Sequence, residues 1–136
     1  MKTTWNKKPK KKRKKANIEK RLDKVWGDLI KLVGKCEKCG ARDKQLHPHH
    51  IIGRANRVMR WDRRNGICLC PHCHTFGVDS AHTDSKAFEE FMLGYRPDDW
   101  HYIQEKKKGI KPTRQEKEDL LIVLKEAYIK ESGEKY

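Results

Sequence analysis

Asn65-Gly66-Ile67-Cys68-Leu69-Cys70-Pro71-His72-Cys73-His74 is the run from which the rest of the chain is read. It holds a Cys-x-x-Cys pair, Cys70/Cys73, and a second pair of the same spacing, Cys36/Cys39, lies upstream. That spacing lets two sulfurs converge from one tight turn, with Gly40 well placed to complete the first. Four thiolates surround a zinc ion tetrahedrally at ~2.3 Å. Such an ion has no open position, so one held by Cys36, Cys39, Cys70 and Cys73 is expected to stabilise the fold and do no chemistry. Redox or merely buried thiols are the alternative, and the recurrence of two pairs in short Lys- or Pro-containing turns speaks against it. Cys68 makes the count odd, which argues against a complete disulfide framework. Between Ile67 and Leu69 it reads as a small buried hydrophobe.

A second set of ligand-type residues surrounds the run. The stretch 46–54, LHPHHIIGR, carries His47, His49 and His50, and Asn65, His74 and His82 follow. Clustered imidazoles repel one another when protonated and favour a cation when neutral. Adjacent strand residues point to opposite faces, so His49 and His50 are not expected to bind one ion together. One can hold a metal while its neighbour faces substrate. Metal-assisted phosphodiester hydrolysis requires that division: an ion on the phosphate and leaving oxygen, and an imidazole of pKa about 6.5 to take a proton from water. His47 shares a face with His49 on a regular strand, although Pro48 disturbs one.

In order, Cys36-x-x-Cys39, His49-His50-Ile51-Ile52 and Asn65-Gly66-Ile67-Cys68-Leu69-Cys70-x-x-Cys73-His74 resemble the HNH (ββα-metal, His-Me finger) endonucleases over about residues 36 to 82. The resemblance implies a β-hairpin followed by a helix, with the zinc knuckles clasping its base. It also implies roles: His49 as first metal ligand, His50 as general base, Asn65 as the residue that holds the catalytic loop, and His74 as the helix-borne ligand. Many members place a third ligand about four residues after His74, where this chain has Val78 and Asp79. His82 shares His74's face only on a continuous helix, and Gly77 argues against one. Three alternatives stay open: His82 returns by a loop, Asp79 supplies an oxygen, or two protein ligands act with water. His47 matches no required position and is assigned to a phosphate contact or to support of the site.

The implied activity is metal-dependent hydrolysis of DNA, double-stranded or branched, leaving 5′-phosphate and 3′-hydroxyl ends. Mg²⁺ or Mn²⁺ is the expected catalytic ion, with Ni²⁺ or Zn²⁺ as alternatives because imidazoles suit softer cations. The rival reading is a zinc-stabilised DNA- or RNA-binding module without catalysis, which leaves His49, His50, Asn65 and His74 unexplained. Duplex cutting, nicking, flap removal and junction resolution are not distinguished.

Composition agrees with a nucleic-acid partner. The 136 residues carry a net charge of +14, 35% apolar and 38% charged residues, and a mean hydropathy of −1.04. Such a chain supports one domain with a small core, of the kind often braced by metal. Its charge attracts polyanions and gains affinity by releasing their counterions. No run approaches the ~18–20 apolar residues of a membrane span, and the basic N-terminus lacks the apolar core of a secretory signal. The expected setting is the cytoplasm of a bacterial or phage-infected cell, or the nucleus if the source is eukaryotic, since PKKKRKK looks like an import signal. Residues 1–16 read as a basic arm, disordered until it meets an anion, in which Lys10, Lys11, Lys12 and Arg13 are candidate DNA contacts. Arg54, Arg57, Arg60, Arg63 and Arg64 follow the histidine stretch and are candidates for flanking phosphates. Trp61 reads as core.

The expected fold class is α+β, mainly helical, with an HNH motif flanked by helices. Asn17 caps a helix to about Val33, with Ile18, Leu22, Val25, Trp26, Leu29 and Leu32 on one stripe and Gly34 after it. A knuckle and a short hairpin or strand occupy 35–53, a basic loop 54–66, and a helix follows the second knuckle. Asp84 or Ser85 caps a helix with Phe88, Phe91 and Met92. Pro97 starts another with Trp100 and Ile103. Thr113-x-x-Glu116 opens a third with Leu120, Leu121, Leu124, Ala127 and Tyr128 inward. The expected domain is 17–136, with its motif at 36–82 and its helical part at 84–131. The last helices cover the motif or form a homodimer surface.

Overall fold

The computed structural model describes residues 17–136, so the arm at 1–16, with Lys10, Lys11, Lys12 and Arg13, lies outside the described residues. Helix α1 runs Ile18–Lys31 because Asn17 caps it: the Asn17 side chain accepts from the backbone N–H of Glu19 at 2.8 Å and Lys20 at 3.1 Å. Its stripe buries Leu22, Val25, Trp26 and Leu29. The helix ends two residues short of Val33, and Leu32, expected inward, is 38% exposed at the cap. Gly34 then turns the chain at φ 74°, a conformation that glycine adopts without strain.

Strands β1 (His47–His50) and β2 (Gly66–Leu69) pair antiparallel, with His47 opposite Leu69, His49 opposite Ile67 and His50 opposite Gly66. β2 is buried along its length. Gly66 is dictated by packing, since a Cβ there would meet the Ile30 side chain and lie 2.8 Å from Trp26 Cζ2. The segment after the second knuckle departs from expectation. Instead of a regular helix it makes one wide turn, His72–Phe76, ended where Gly77 N–H donates to the His72 carbonyl at 2.7 Å. A Cβ on Gly77 would stand 2.8 Å from that same oxygen, so this close return needs glycine.

Helices α2 (Ser85–Tyr95), α3 (Pro97–Lys106) and α4 (Arg114–Ser132) complete the chain. Asp84 caps α2 through Ala87 N–H at 3.0 Å, and Thr113 caps α4 through Glu116 N–H at 3.2 Å. The result is a mixed α/β structure, about half helical, with one small two-stranded sheet. Apolar residues gather in two clusters. One joins Cys36, Ile67, Leu69, Cys70, Cys73, Phe88 and Met92; the other joins Leu22, Val25, Trp26, Leu29, Trp61, Leu121 and Leu124. The hairpin therefore lies between α1 and α2, and α4 buries its apolar side on α1.

Asp23, on α1, ties the loop between the strands to that helix. It accepts from Arg60 at 2.9 and 2.7 Å and from Trp61 Nε1 at 2.8 Å. Burial opposes its ionisation, yet the bonds from Arg60 and Trp61 and the charges of Arg60 and Arg54 hold its carboxyl below the ordinary 3.8. Asp23→Ala strands Arg60, 11% exposed, and is expected to cost about 2 kcal/mol in urea unfolding. Because the folded carboxyl is depressed, its contribution is fully present above pH 3.8 and lost as pH falls. The wild-type advantage over the variant should therefore shrink on acidification below that value.

Candidate metal centres and catalytic cleft

Cys36 and Cys39 come from the turn after α1, and Cys70 and Cys73 from the end of β2 and the wide turn beyond it. Gly40 N–H donates to the Cys36 carbonyl at 2.8 Å, with Gly40 at φ 79°, and this aims the first two sulfurs together. All four Sγ atoms lie within 4.8 Å of one another, and Cys39 and Cys70 are 3.7 Å apart. A tetrahedral site with ~2.3 Å bonds has an edge of about 3.8 Å, so the donor set fits zinc. Burial opposes thiolate formation at Cys36, but the N–H groups of Cys39, Cys70 and Lys38 bring it down to about 7. Cys68 stays outside the group, fully buried opposite Pro48, and burial with the Glu37 and Cys36 charges pushes it up to about 11.

The second cluster lies along β1. The pleat separates its histidines: His49 faces the rings of His74 and His82, at centroid distances of 5.0 and 4.9 Å, while His50 stacks on Trp26 at 3.9 Å. Ligand nitrogens of His49, His74 and His82 lie within 4.8 Å of one another. The two Nε2 atoms of His74 and His82 are 2.9 Å apart, close enough for both to stand ~2.0–2.1 Å from one ion. Burial and the neighbouring imidazoles hold His49 down to about 3, and burial with His82 and His47 holds His74 down to about 4. Both rings are therefore neutral at neutral pH, the form a cation needs.

His82 reaches this cluster by a loop, not by a helix face: its N–H donates to the His74 carbonyl at 3.1 Å. Asp79 is turned away to Lys38, 3.2 Å from its Nζ. His47, two residues from His49 and on the same face, places Nδ1 3.1 Å from Nδ1 of His74. Asn65 is fully buried. Its amide donates to the carbonyls of Ile52 and Met59, each at 3.0 Å, and accepts from Ile52 N–H at 2.7 Å, so it closes the interstrand loop behind His50. His50 Nε2 meets the Arg60 carbonyl at 2.8 Å. Burial lowers the His50 pKa, partly offset by that carbonyl and by Asp23.

Between these groups lies a cleft of about 470 Å³ lined by Asp23, Trp26, Pro48, His49, His50, Gly53, Arg54, His74 and His82. Of the five loop arginines, only Arg54 lines it. All five have carboxylate partners: Arg54 and Arg60 on Asp23, Arg57 on Glu19, Arg63 on Glu131 and Arg64 on Asp99. Trp61 is core, at 2% exposure. Sequence reasoning placed Trp26 in the stripe but missed its stacking on His50, and it missed Asp23 altogether. A carboxylate beside the apolar stripe, three residues before Trp26, was the available signal for Asp23.

A hairpin with a four-cysteine cluster at its base and three convergent imidazoles defines a candidate metal-binding module. Residues 36–76 match the family model described as HNH endonuclease, so the resemblance holds over that segment and implies a nucleic-acid substrate. No curated protein and no solved structure matches the chain. Among the described residues no helix is long and apolar enough to cross a membrane. Cys36→Ser is expected to lower the zinc content by about one ion per chain in elemental analysis, and to remove the cooperative melting transition with it.

Proposed function

We propose that this protein is a metal-dependent HNH endonuclease that hydrolyses DNA phosphodiester bonds, with His50 as general base and His49, His74 and His82 holding a divalent cation. The observation that carries this reading is the division of labour between His49 and His50, one set against the His74 and His82 rings and the other stacked on Trp26, with both lining one cleft. The hydrogen bond to the Arg60 carbonyl puts the His50 proton on Nε2 and leaves Nδ1 as the acceptor. Stacking on Trp26 holds the ring plane, and burial keeps the ring neutral and ready to take a proton. His50 accepts a proton from water, which attacks phosphorus in line. Asn65 keeps the Arg60 carbonyl in place by closing the loop that carries it.

When bound, the cation supplies Lewis-acid stabilisation of charge on the phosphate and on the departing 3′-oxygen. Mg²⁺ or Mn²⁺ is proposed, and the three imidazoles favour Mn²⁺, Ni²⁺ or Zn²⁺ on affinity. His47 supports His74 through the Nδ1 contact: with His74 as the Nδ1–H donor, its Nε2 is left free for the cation. Arg54, with 67% of its side chain exposed at the cleft, is the loop arginine best placed for a phosphate, while Arg60 supports His50 instead. Residues 17–136 act as one domain on this reading, because α1 packs against both the hairpin and α4.

His50→Ala is expected to lower metal-dependent plasmid nicking at least ~100-fold while zinc content and circular dichroism stay unchanged. Cutting at the wild-type rate would remove His50 from the base role. A wild-type protein that binds DNA but fails to nick plasmid with any divalent ion would leave the non-catalytic binding module standing. Replacing Lys10, Lys11, Lys12 and Arg13 together by Gln should flatten the slope of log affinity against log salt by about three to four, at ~0.9 per charge, in fluorescence anisotropy with duplex DNA.

A further inference from the structure

Between His74 and His82 the chain makes a closed loop whose apolar residues face solvent. His82 N–H bonds the His74 carbonyl at 3.1 Å and Ala81 N–H bonds the Cys73 carbonyl at 2.9 Å, so both ends of the loop are pinned at the imidazole cluster. Inside it, Phe76 is 79% exposed and Val78 88% exposed. A flexible loop would fold such side chains inward. This one is built to prevent that. Gly77, between them, is pressed onto His72, and Ser80, fully buried, and Thr83 bond the Thr75 carbonyl, each at 3.0 Å, and each other at 2.8 Å. The braces hold Phe76 and Val78 outward, and Phe76 has no aromatic partner among the described residues.

We infer that the Phe76–Val78 tip stacks on an unpaired nucleobase beside the scissile phosphate, so that the substrate is a nucleic acid with single-stranded or distorted character at the cleavage point. This deepens the nuclease reading and rests on it. Phe76 is two residues from His74, at most ~7 Å along the chain, so a base next to a phosphate in the cleft comes within reach of the ring. An aromatic face accepts any base by stacking, and an aliphatic neighbour acts as a wedge between base steps. In an intact duplex the base faces are already covered by their neighbours, whereas an unpaired base offers a free face at little unstacking cost. The surrounding charge favours a polyanion: the chain is +14, and the loop adjoins a cleft that carries Arg54.

The test uses full-length His50→Ala protein, so that binding is read without cleavage. Oligonucleotides carry one 5-iodouracil, either paired in a duplex, unpaired in a bulge, or at the junction of a flap, and are photo-crosslinked and mapped by mass spectrometry. The expected result is a crosslink to Phe76 from the unpaired positions and none from the paired one. Adding Phe76→Ala should weaken binding to bulge and flap DNA on the order of tenfold and leave duplex binding unchanged, with Phe76→Trp restoring it. Zinc content and melting of the variants confirm that the loop alone has changed. Crosslinks only elsewhere, with Phe76→Ala leaving the affinity for bulge and flap DNA unchanged from the parent protein, would overturn the inference and leave the tip to a protein partner. Failure of the wild-type protein to cut any DNA would overturn the nuclease reading while leaving the crosslink to judge the stacking.

Discussion

Two strands of four residues each bury too little to hold together in water, and everything proposed for the cleft depends on how this hairpin is fastened. The fastening differs at its two ends. Where β2 runs out, four sulfurs crowd within a metal's reach, and without an ion they would be a cluster of thiols with no hydrogen-bonding role of comparable strength. Where β2 begins, the Asn65 amide uses both its ends on Ile52 and Met59. A buried amide left unpaired costs more than a formed bond gains, so the interstrand loop is held by the penalty for opening it as much as by the bonds. The catalytic proposal thus stands on a sheet whose rigidity comes from chemistry at its margins.

Helix α1 supplies the remaining constraint. Trp26 offers its ring to His50 and its Nε1–H to the Asp62 carbonyl at 2.9 Å, while Asp23 gathers Arg60 and Trp61. The loop after β1 is consequently arginine-rich without being a free phosphate grip, since each of its five guanidinium groups has a carboxylate partner. Most of those pairs are exposed and contribute little to stability individually. Their effect is to orient the loop, so the long-range positive field of the molecule must draw on its other lysines as well.

The sequence announces the elements whose signals are local. Asn17, Thr113 and Pro97 mark helix starts that the structure keeps, and the two Cys-x-x-Cys spacings foretell the sulfur cluster. The separation of His49 from His50 needs only the two-residue period of a strand. What was not legible depends on contacts across the chain. The helix expected after Cys73 is cut to one turn because Gly77 docks on His72, a close approach that no propensity records. The return of His82 by a loop, one of three alternatives that the sequence leaves open at Gly77, follows from that same stop. The inward turn of Arg60 depends on Asp23, 37 residues earlier, and no pattern of charges along the chain distinguishes it from its exposed neighbours.

Placing a candidate base and a candidate metal ligand on consecutive residues makes β1 a gauge of length as well as a scaffold. Substitutions in the strand alter one face at a time. Losing or gaining a single residue between His47 and the clamp of Asn65 on Ile52 would rotate the strand by half its period, exchanging which imidazole meets His74 and His82 and which meets Trp26. Both groups would still be present, and the hairpin could still pair, yet each would stand in the other's surroundings. Variation in chain length here is therefore more damaging than variation in composition, because the chemistry is written in parity.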